Sequence, residues 1–262
     1  MNLTSLAQDE LPVKAGRKDI ALQVGPFAVK VSSNITAIPA GLDLLYGQNQ
    51  LIGNDFFDFH VSINQPRFVR ALYRPQVNFS LDGVKPFKPL PRSQALAMFE
   101  WGLNWCITNH CHDYLIVHAA VVEKNGKVLM LPAPPGAGKS TLCAALVCSG
   151  WRLLSDELAL LSLSGDNKIT PLARPVCLKN GSIDVIKRHF PEAMFGPLCL
   201  DTSKGTVAHM AAPAESLQRV SDPAQLQWVV FPRFIPGSET LLSDRPRATT
   251  FFELARQSFN YH

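Results

Sequence analysis

A chain of 262 residues, 47% apolar and 18% charged, is long enough for one large or two modest domains with a sizeable core, which excludes disordered and collagen-like classes. Net charge is only +4 and no basic block occurs, so composition gives nucleic-acid binding no support. There is no run of 18 apolar residues and no apolar signal-peptide core in the first twenty. The six cysteines are irregularly spaced in apolar segments, so the expectation is a cytoplasmic protein in a reducing compartment, off the membrane.

The first third reads as β-rich. IALQVGPFAVKVSS (20–33), FFDFHVSI (56–63) and FVRALYR (68–74) alternate in strand fashion, with a short helix around GLDLLYG (41–47). The proline- and lysine-bearing KPFKPLPRS (85–93) reads as a linker, which sets expected domains at 1–92 and 93–262. From Ser93 the positions Leu96, Phe99, Leu103, Cys106 and Ile107 recur at three- and four-residue steps, giving a helix of about fifteen residues with one buried face, expected to pack beneath the strands after it. LIVHAAVV and KVLMLPA flank Asn125-Gly126, a hairpin signal. A glycine loop comes next, then the helix TLCAALVCSG closed by Gly150, then the strand-like WRLLSDELALLSL. A helical pattern from about Arg247 still runs at His262, so the second domain reads as truncated or naturally short.

Residues 133–140 read Ala-Pro-Pro-Gly-Ala-Gly-Lys-Ser between a strand and a helix, the setting of a phosphate-binding loop. Glycines let backbone N–H groups crowd around phosphate oxygens, a lysine neutralises the β- and γ-phosphates, and a hydroxyl holds Mg²⁺. Gly136, Gly138, Lys139 and Ser140 supply these, and Pro135, Ala137 and Thr141 complete the expected nucleotide contacts. Ala133 stands where the pattern has its first glycine, which is tolerable only if its φ is negative. Seventeen residues beyond Lys139 comes Asp156-Glu157, an acidic pair suited to holding Mg²⁺ or accepting a hydroxyl proton. Extended neighbours point to opposite faces, so both reach the loop only if the backbone turns there.

These residues resemble the HPr serine kinase/phosphorylase family and its shorter relatives. The resemblance rests on His118, twenty-one residues before Lys139, on the loop, and on GWRLLSDE with its acidic pair. Arg174-Pro-Val-Cys-Leu-Lys-Asn180 is similar to a signature strand of that family, although Leu172 stands where the family has a magnesium-binding glutamate. Phe231-Pro-Arg233-Phe-Ile-Pro-Gly237 is loosely similar to its basic proline-glycine loop without the full motif. The resemblance implies an α/β fold: an HPr-kinase/PEP-carboxykinase-like P-loop domain behind a smaller β-rich N-terminal domain that recognises the acceptor.

It implies an ATP- and Mg²⁺-dependent kinase acting on a serine of a protein or peptide. Lys139 holds phosphates, Ser140 and Glu157 hold Mg²⁺, Asp156 accepts the hydroxyl proton and His118 orients the transferring group. Arg219 and Arg233 are the candidate guanidiniums for the γ-phosphate. The alternatives carried forward are a nucleotide-binding switch or scaffold, and a small-molecule kinase or reversible phosphorylase; homo-oligomerisation stays open. Cys106, His110, Cys111 and His112 could suggest zinc, but no second Cys/His pair with ligand spacing follows within the next thirty residues. Lys179, Lys204 and His209 read equally well as surface or phosphate contacts.

Overall fold

The computed structural model describes residues 18–49, 56–66 and 73–260. Most of FVRALYR (68–72) lies outside them.

Alternation puts Ile20, Leu22 and Val24 of β1 (Lys18–Val24) and Phe27, Val29 and Val31 of β2 (Phe27–Ser33) on one buried face. The turn between them uses Gly25 at φ +59°, where a Cβ would stand 2.7 Å from the Pro171 carbonyl oxygen. Helix α1 (Ala37–Tyr46) carries the chain across to β3 (Phe59–Asn64), which pairs parallel to β2. β4 (Gln76–Leu81) and β5 (Leu90–Pro91) then complete an antiparallel edge, in the order β1-β2-β3-β4-β5.

The proline-bearing segment expected as a linker forms β5 and a single 3₁₀ turn, Arg92–Gln94, leading into α2 (Ala95–His110). The apolar stripe of α2 lies against β3 and β4, so Leu96, Phe99, Leu103, Cys106 and Ile107 share one buried cluster with the first sheet. Ile116, Leu158, Leu160 and Leu172 belong to the same cluster, so residues before and after position 92 share a core.

Beyond α2, β6 (Tyr114–Lys124) and β7 (Lys127–Pro132) form the expected hairpin, with Asn125 at φ +53° and Gly126 at φ +77°. The loop then opens α3 (Lys139–Cys148), and β8 (Arg152–Ser155), β9 (Leu158–Ser162) and β10 (Lys168–Thr170) come after it. β11 (Val176–Lys179), α4 (Gly181–His189), β12 (Cys199–Thr202), β13 (Gly205–Met210) and α5 (Ala214–Gln218) precede β14 (Ala224–Val229).

Because β6 pairs with both β7 and β9, while β14 links β7 to β10, the strands β6-β7-β14-β10-β9 close into a ring. Val117, Ala119, Val121, Val128, Met130, Leu154 and Ala159 fill its interior. Ala120, Val122, Leu131 and Leu153 face outward onto Cys143, Ala144 and Val147 of α3. The antiparallel sheet β11-β13-β12 packs Val176, Leu178, Ala208 and Met210 into that outer cluster, and turns Cys177, Cys199 and Val207 to Ala97 and Trp101 of α2.

After β14, residues 230–246 run irregularly to α6 (Arg247–Arg256). The helical pattern expected to reach His262 stops at Arg256, where the backbone turns back onto β6 through His118 N–H to Gln257 O (2.7 Å) and Phe259 N–H to Ile116 O (2.9 Å). The architecture is mixed α/β with three sheets and six helices among the described residues, none long and apolar enough to cross a membrane.

Candidate functional site

Strand β7 ends at Pro132, and the chain crosses 133–138 before α3 begins. Gly136 (φ +86°) and Gly138 (φ +91°) take the left-handed conformation that glycine allows without strain. Ala133 is buried and is not among the positive-φ residues, so its methyl is accommodated. The first N–H groups of α3 have no partner within the helix, and they open toward the loop. Lys139, the first residue of α3, is only 7% exposed, and its ammonium has no hydrogen-bond partner.

The acidic pair sits at a break in one long strand. β8 and β9 both pair antiparallel to β6, with Val121↔Ser155 and His118↔Leu158 in the same register, while Val122 pairs with Leu153. Leu154 and Ser155 therefore lie opposite one residue, a bulge that reverses the alternation. Asp156 falls on the outer side of the ring with Ala120 and His118, and residues 156–157 bend. This is the turn that both carboxylates need to approach Lys139.

Asp156 is 3% exposed. Its Oδ2 accepts the Cys177 N–H (3.0 Å) and its Oδ1 is buried without a partner. Burial, then the charge of Glu157, raise its carboxyl above the ordinary aspartate range, against the pull of Lys139, the Cys177 amide and Ser140. Glu157 is half-buried, but the His118 ring, Lys139 and Lys179 outweigh its partial desolvation and hold its carboxyl low. His118 Nε2 stands 3.4 Å from Glu157 Oε2, with its ring 5.7 Å from that of Phe259. His118, Lys139, Ser140, Asp156 and Glu157 are thus brought together on the α3 side of the ring, with His118 on Glu157.

Other candidates are placed elsewhere. Arg219 comes just after α5 and pairs with Glu123 (3.4 Å) and Asp222 (3.3 Å). Glu123 lies opposite Val128 at the hairpin end, whereas the loop leaves from Pro132 opposite Ala119, a separation of roughly 13 Å along the strands. Arg233 is exposed, but the next residue, Phe234, donates its N–H to Ala137 O (3.0 Å), so this segment straps the loop. Pro135, Ala137 and Thr141 lie in the loop and first turn. Cys106 is in the core and all six cysteines are free. Asn180, at φ +52°, accepts the Thr206 N–H (3.0 Å), and Leu172 is buried in the core. Lys204 lies over the Trp101 ring.

Sequence reasoning missed a cavity of about 20 Å³ between α2 and the sheet β11-β13-β12, room for about one water. Asp156 and Glu157 line it together with Glu100, Trp101, Arg174 and His209. Arg174 donates to the Glu100 carboxylate (2.6 Å), to the Glu100 carbonyl (2.9 Å) and to Asn104, and Tyr46 donates to the other Glu100 oxygen (2.7 Å). His209 is 1% exposed, neither ring nitrogen has a partner, and burial pushes its imidazole down. The sequence singles out Arg174 and His209 but not the surrounding Glu100, Asn104 and Tyr46, which come from distant segments, and the reading of His209 as a surface residue is corrected by its burial.

Residues 91–174, about a third of the chain, match the family described as SynChlorMet cassette protein ScmC. This overturns the expected resemblance to the HPr serine kinase/phosphorylase family: His118, the loop and the acidic pair all fall within the matched stretch, so their spacing does not single out that family. No curated protein matches the chain.

Proposed function

We propose that this chain binds a nucleoside triphosphate at 133–141 and transfers its γ-phosphoryl group to a hydroxyl acceptor. The observation that carries the reading is the Lys139 ammonium, buried and without a partner at the start of α3, beside a carboxylate that burial keeps ready for a proton. A buried ammonium that makes no hydrogen bond is costly even with Asp156 and Glu157 within electrostatic reach, and a phosphate is the partner that the glycine loop and helix N-terminus favour. Lys139 and the loop amides would hold the β- and γ-phosphates, Asp156 would take the hydroxyl proton through its free Oδ1, and His118 would orient Glu157.

No three His, Cys, Asp or Glu side chains cluster as a preformed metal site among the described residues. Ser140 and Glu157 beside bound phosphates nevertheless fit Mg²⁺, which would supply charge neutralisation on the phosphates. The serine acceptor rested on the overturned resemblance, so the proposal extends to a hydroxyl only.

A nucleotide-binding switch is the second reading, favoured by the Phe234 strap on the loop and by the engagement of Arg219 far from it. The test is incubation with γ-labelled ATP, Mg²⁺ and a lysate of the source cells, separated into protein and small-molecule fractions. Label transferred to either fraction, and lost with Lys139→Ala, supports the kinase. ATP binding without transfer supports the switch, and absence of ATP binding refutes both.

A further inference from the structure

The cavity between α2 and the sheet β11-β13-β12 collects polar atoms that the protein itself does not satisfy. Trp101 Nε1, Arg174 Nε, Asp156 Oδ1 and both ring nitrogens of His209 are buried without a hydrogen-bond partner, and all four residues line the cavity. The fold delivers them from separate elements. Trp101 comes from α2, off the stripe that covers the first sheet. His209 comes from β13, opposite Cys177 of β11, whose N–H holds Asp156 Oδ2. Glu100 and Asn104 occupy the two terminal amino groups of Arg174, which leaves its Nε–H over.

We infer that this cavity is a binding site for one water molecule, which joins Trp101, Arg174 and His209 to the Oδ1 of Asp156. Its volume of about 20 Å³ exceeds the roughly 10–15 Å³ that a single water needs and is too small for an organic ligand or a phosphate. The surrounding groups select water over an ion. Trp101 and Arg174 offer only N–H donors, which repel a cation, while the carboxylates of Asp156 and Glu157 repel an anion. A water both donates and accepts, up to four bonds in all, and so serves four of the five atoms. Without it each buried atom bears its full desolvation penalty.

The consequence for catalysis rests on the reading of Asp156 as the base. With the Cys177 N–H on one oxygen and the water on the other, the carboxylate is held at both ends, and the second lone pair of Oδ1 stays open to the acceptor hydroxyl. His209 and Trp101 are then positioning residues that act through the water.

The test is solution NMR of the full chain labelled with ¹⁵N. The indole N–H of Trp101, identified by its loss in Trp101→Phe, should show a cross-peak to water of opposite sign in laboratory- and rotating-frame spectra, the mark of a water held longer than the molecule tumbles. Absence of that cross-peak overturns the inference. His209→Leu removes both ring nitrogens and fills the space, so the cross-peak should vanish and phosphoryl transfer should slow by up to about 10²-fold with the KM for ATP unchanged. His209→Gln keeps a donor and an acceptor and should recover most of both. Circular dichroism is the control for folding, and if the leucine variant does not fold, the cross-peaks of the parent and of the glutamine variant decide. A folded leucine variant that keeps the cross-peak overturns the site, and one that loses it yet transfers at the parent's rate overturns the role of His209. A parent that transfers no phosphate refutes the proposed chemistry, and the cross-peak alone then decides the water.

Discussion

Replacing Lys139 with Met tests the site most directly, because the thioether keeps the length of the side chain and removes only the charge. Lys139 is 7% exposed and its ammonium is buried without a hydrogen-bond partner, so solvent would screen little of its interaction with a bound phosphate. A hydrogen bond to a charged group is worth about 1.5–3 kcal/mol, which predicts a 10- to 150-fold weaker affinity for ATP. The loop amides and the start of α3 remain in the variant, so residual triphosphate binding should persist. Adenosine, lacking phosphates, should bind the variant and the parent alike. Titration calorimetry with ATP and adenosine in parallel measures both numbers, with circular dichroism as the control for folding. A folded variant that binds ATP within twofold of the parent would remove Lys139 from phosphate recognition and refute the reasoning.

Asp156→Asn should keep ATP binding and lower phosphoryl transfer by about 10²–10⁴-fold, the usual contribution of a general base, as read in a labelled-transfer assay. The same variant predicts a pH effect on stability. The folded chain holds the Asp156 proton more tightly than the unfolded chain, so the parent loses stability as pH rises from the ordinary aspartate range through the raised value, and thermal midpoints of the Asn variant should lack that decline. Arg174→Met should cost about 3–5 kcal/mol in urea unfolding by leaving Glu100 buried and unpaired, and Glu100→Gln in the same chain should recover part of it; a single variant as stable as the parent would deny that the pair is structural. Gly102→Ala would place its Cβ 2.2 Å from the Phe79 ring, so a net loss of about 2 kcal/mol is expected despite alanine's better helix propensity, and an unchanged melting temperature would contradict that clash.

What could be read from the sequence is what local chemistry controls. Asn125-Gly126 makes its hairpin, the stripe from Leu96 to Ile107 buries its face, and the glycine loop bridges a strand and a helix, because each feature is decided within a few residues. Closure of the ring depends on β6 finding β9 and on β14 inserting beside β7, nearly a hundred residues downstream, and alternation carries no partner identity. The same limit hid the partners of Arg174, which stands out in the sequence as the first residue of a signature-like strand but shows its ion pair only once Glu100 and Tyr46 are folded around it. It also misplaced Arg219, whose segment returns to the hairpin end of β6 and not to the loop. The family resemblance failed for a related reason. A hairpin, a loop, a helix of three turns and a returning strand require nearly fixed residue counts between their landmarks, so a histidine, lysine and acid in register report the supersecondary unit before they report ancestry.

The bulge at Leu154 and Ser155 is where fold and proposed chemistry meet. With unbroken alternation Asp156 would share the face of Leu154 and enter the ring interior among Val117, Ala119 and Val121, where a carboxylate has no partner and its burial is prohibitively costly. One extra residue opposite Val121 turns Asp156 to the outer side, toward the Cys177 amide and Lys139, and the bend after it brings Glu157 to His118. The two carboxylates then diverge in proton affinity although they are adjacent in sequence. Asp156 has one backbone amide and deep burial, whereas Glu157 has an imidazole and two ammonium groups within electrostatic reach. Adjacent acids with opposite displacements can divide the work of proton acceptance and cation binding without competing for the same proton, which is the physical basis for assigning the base to Asp156 and the cation to Glu157.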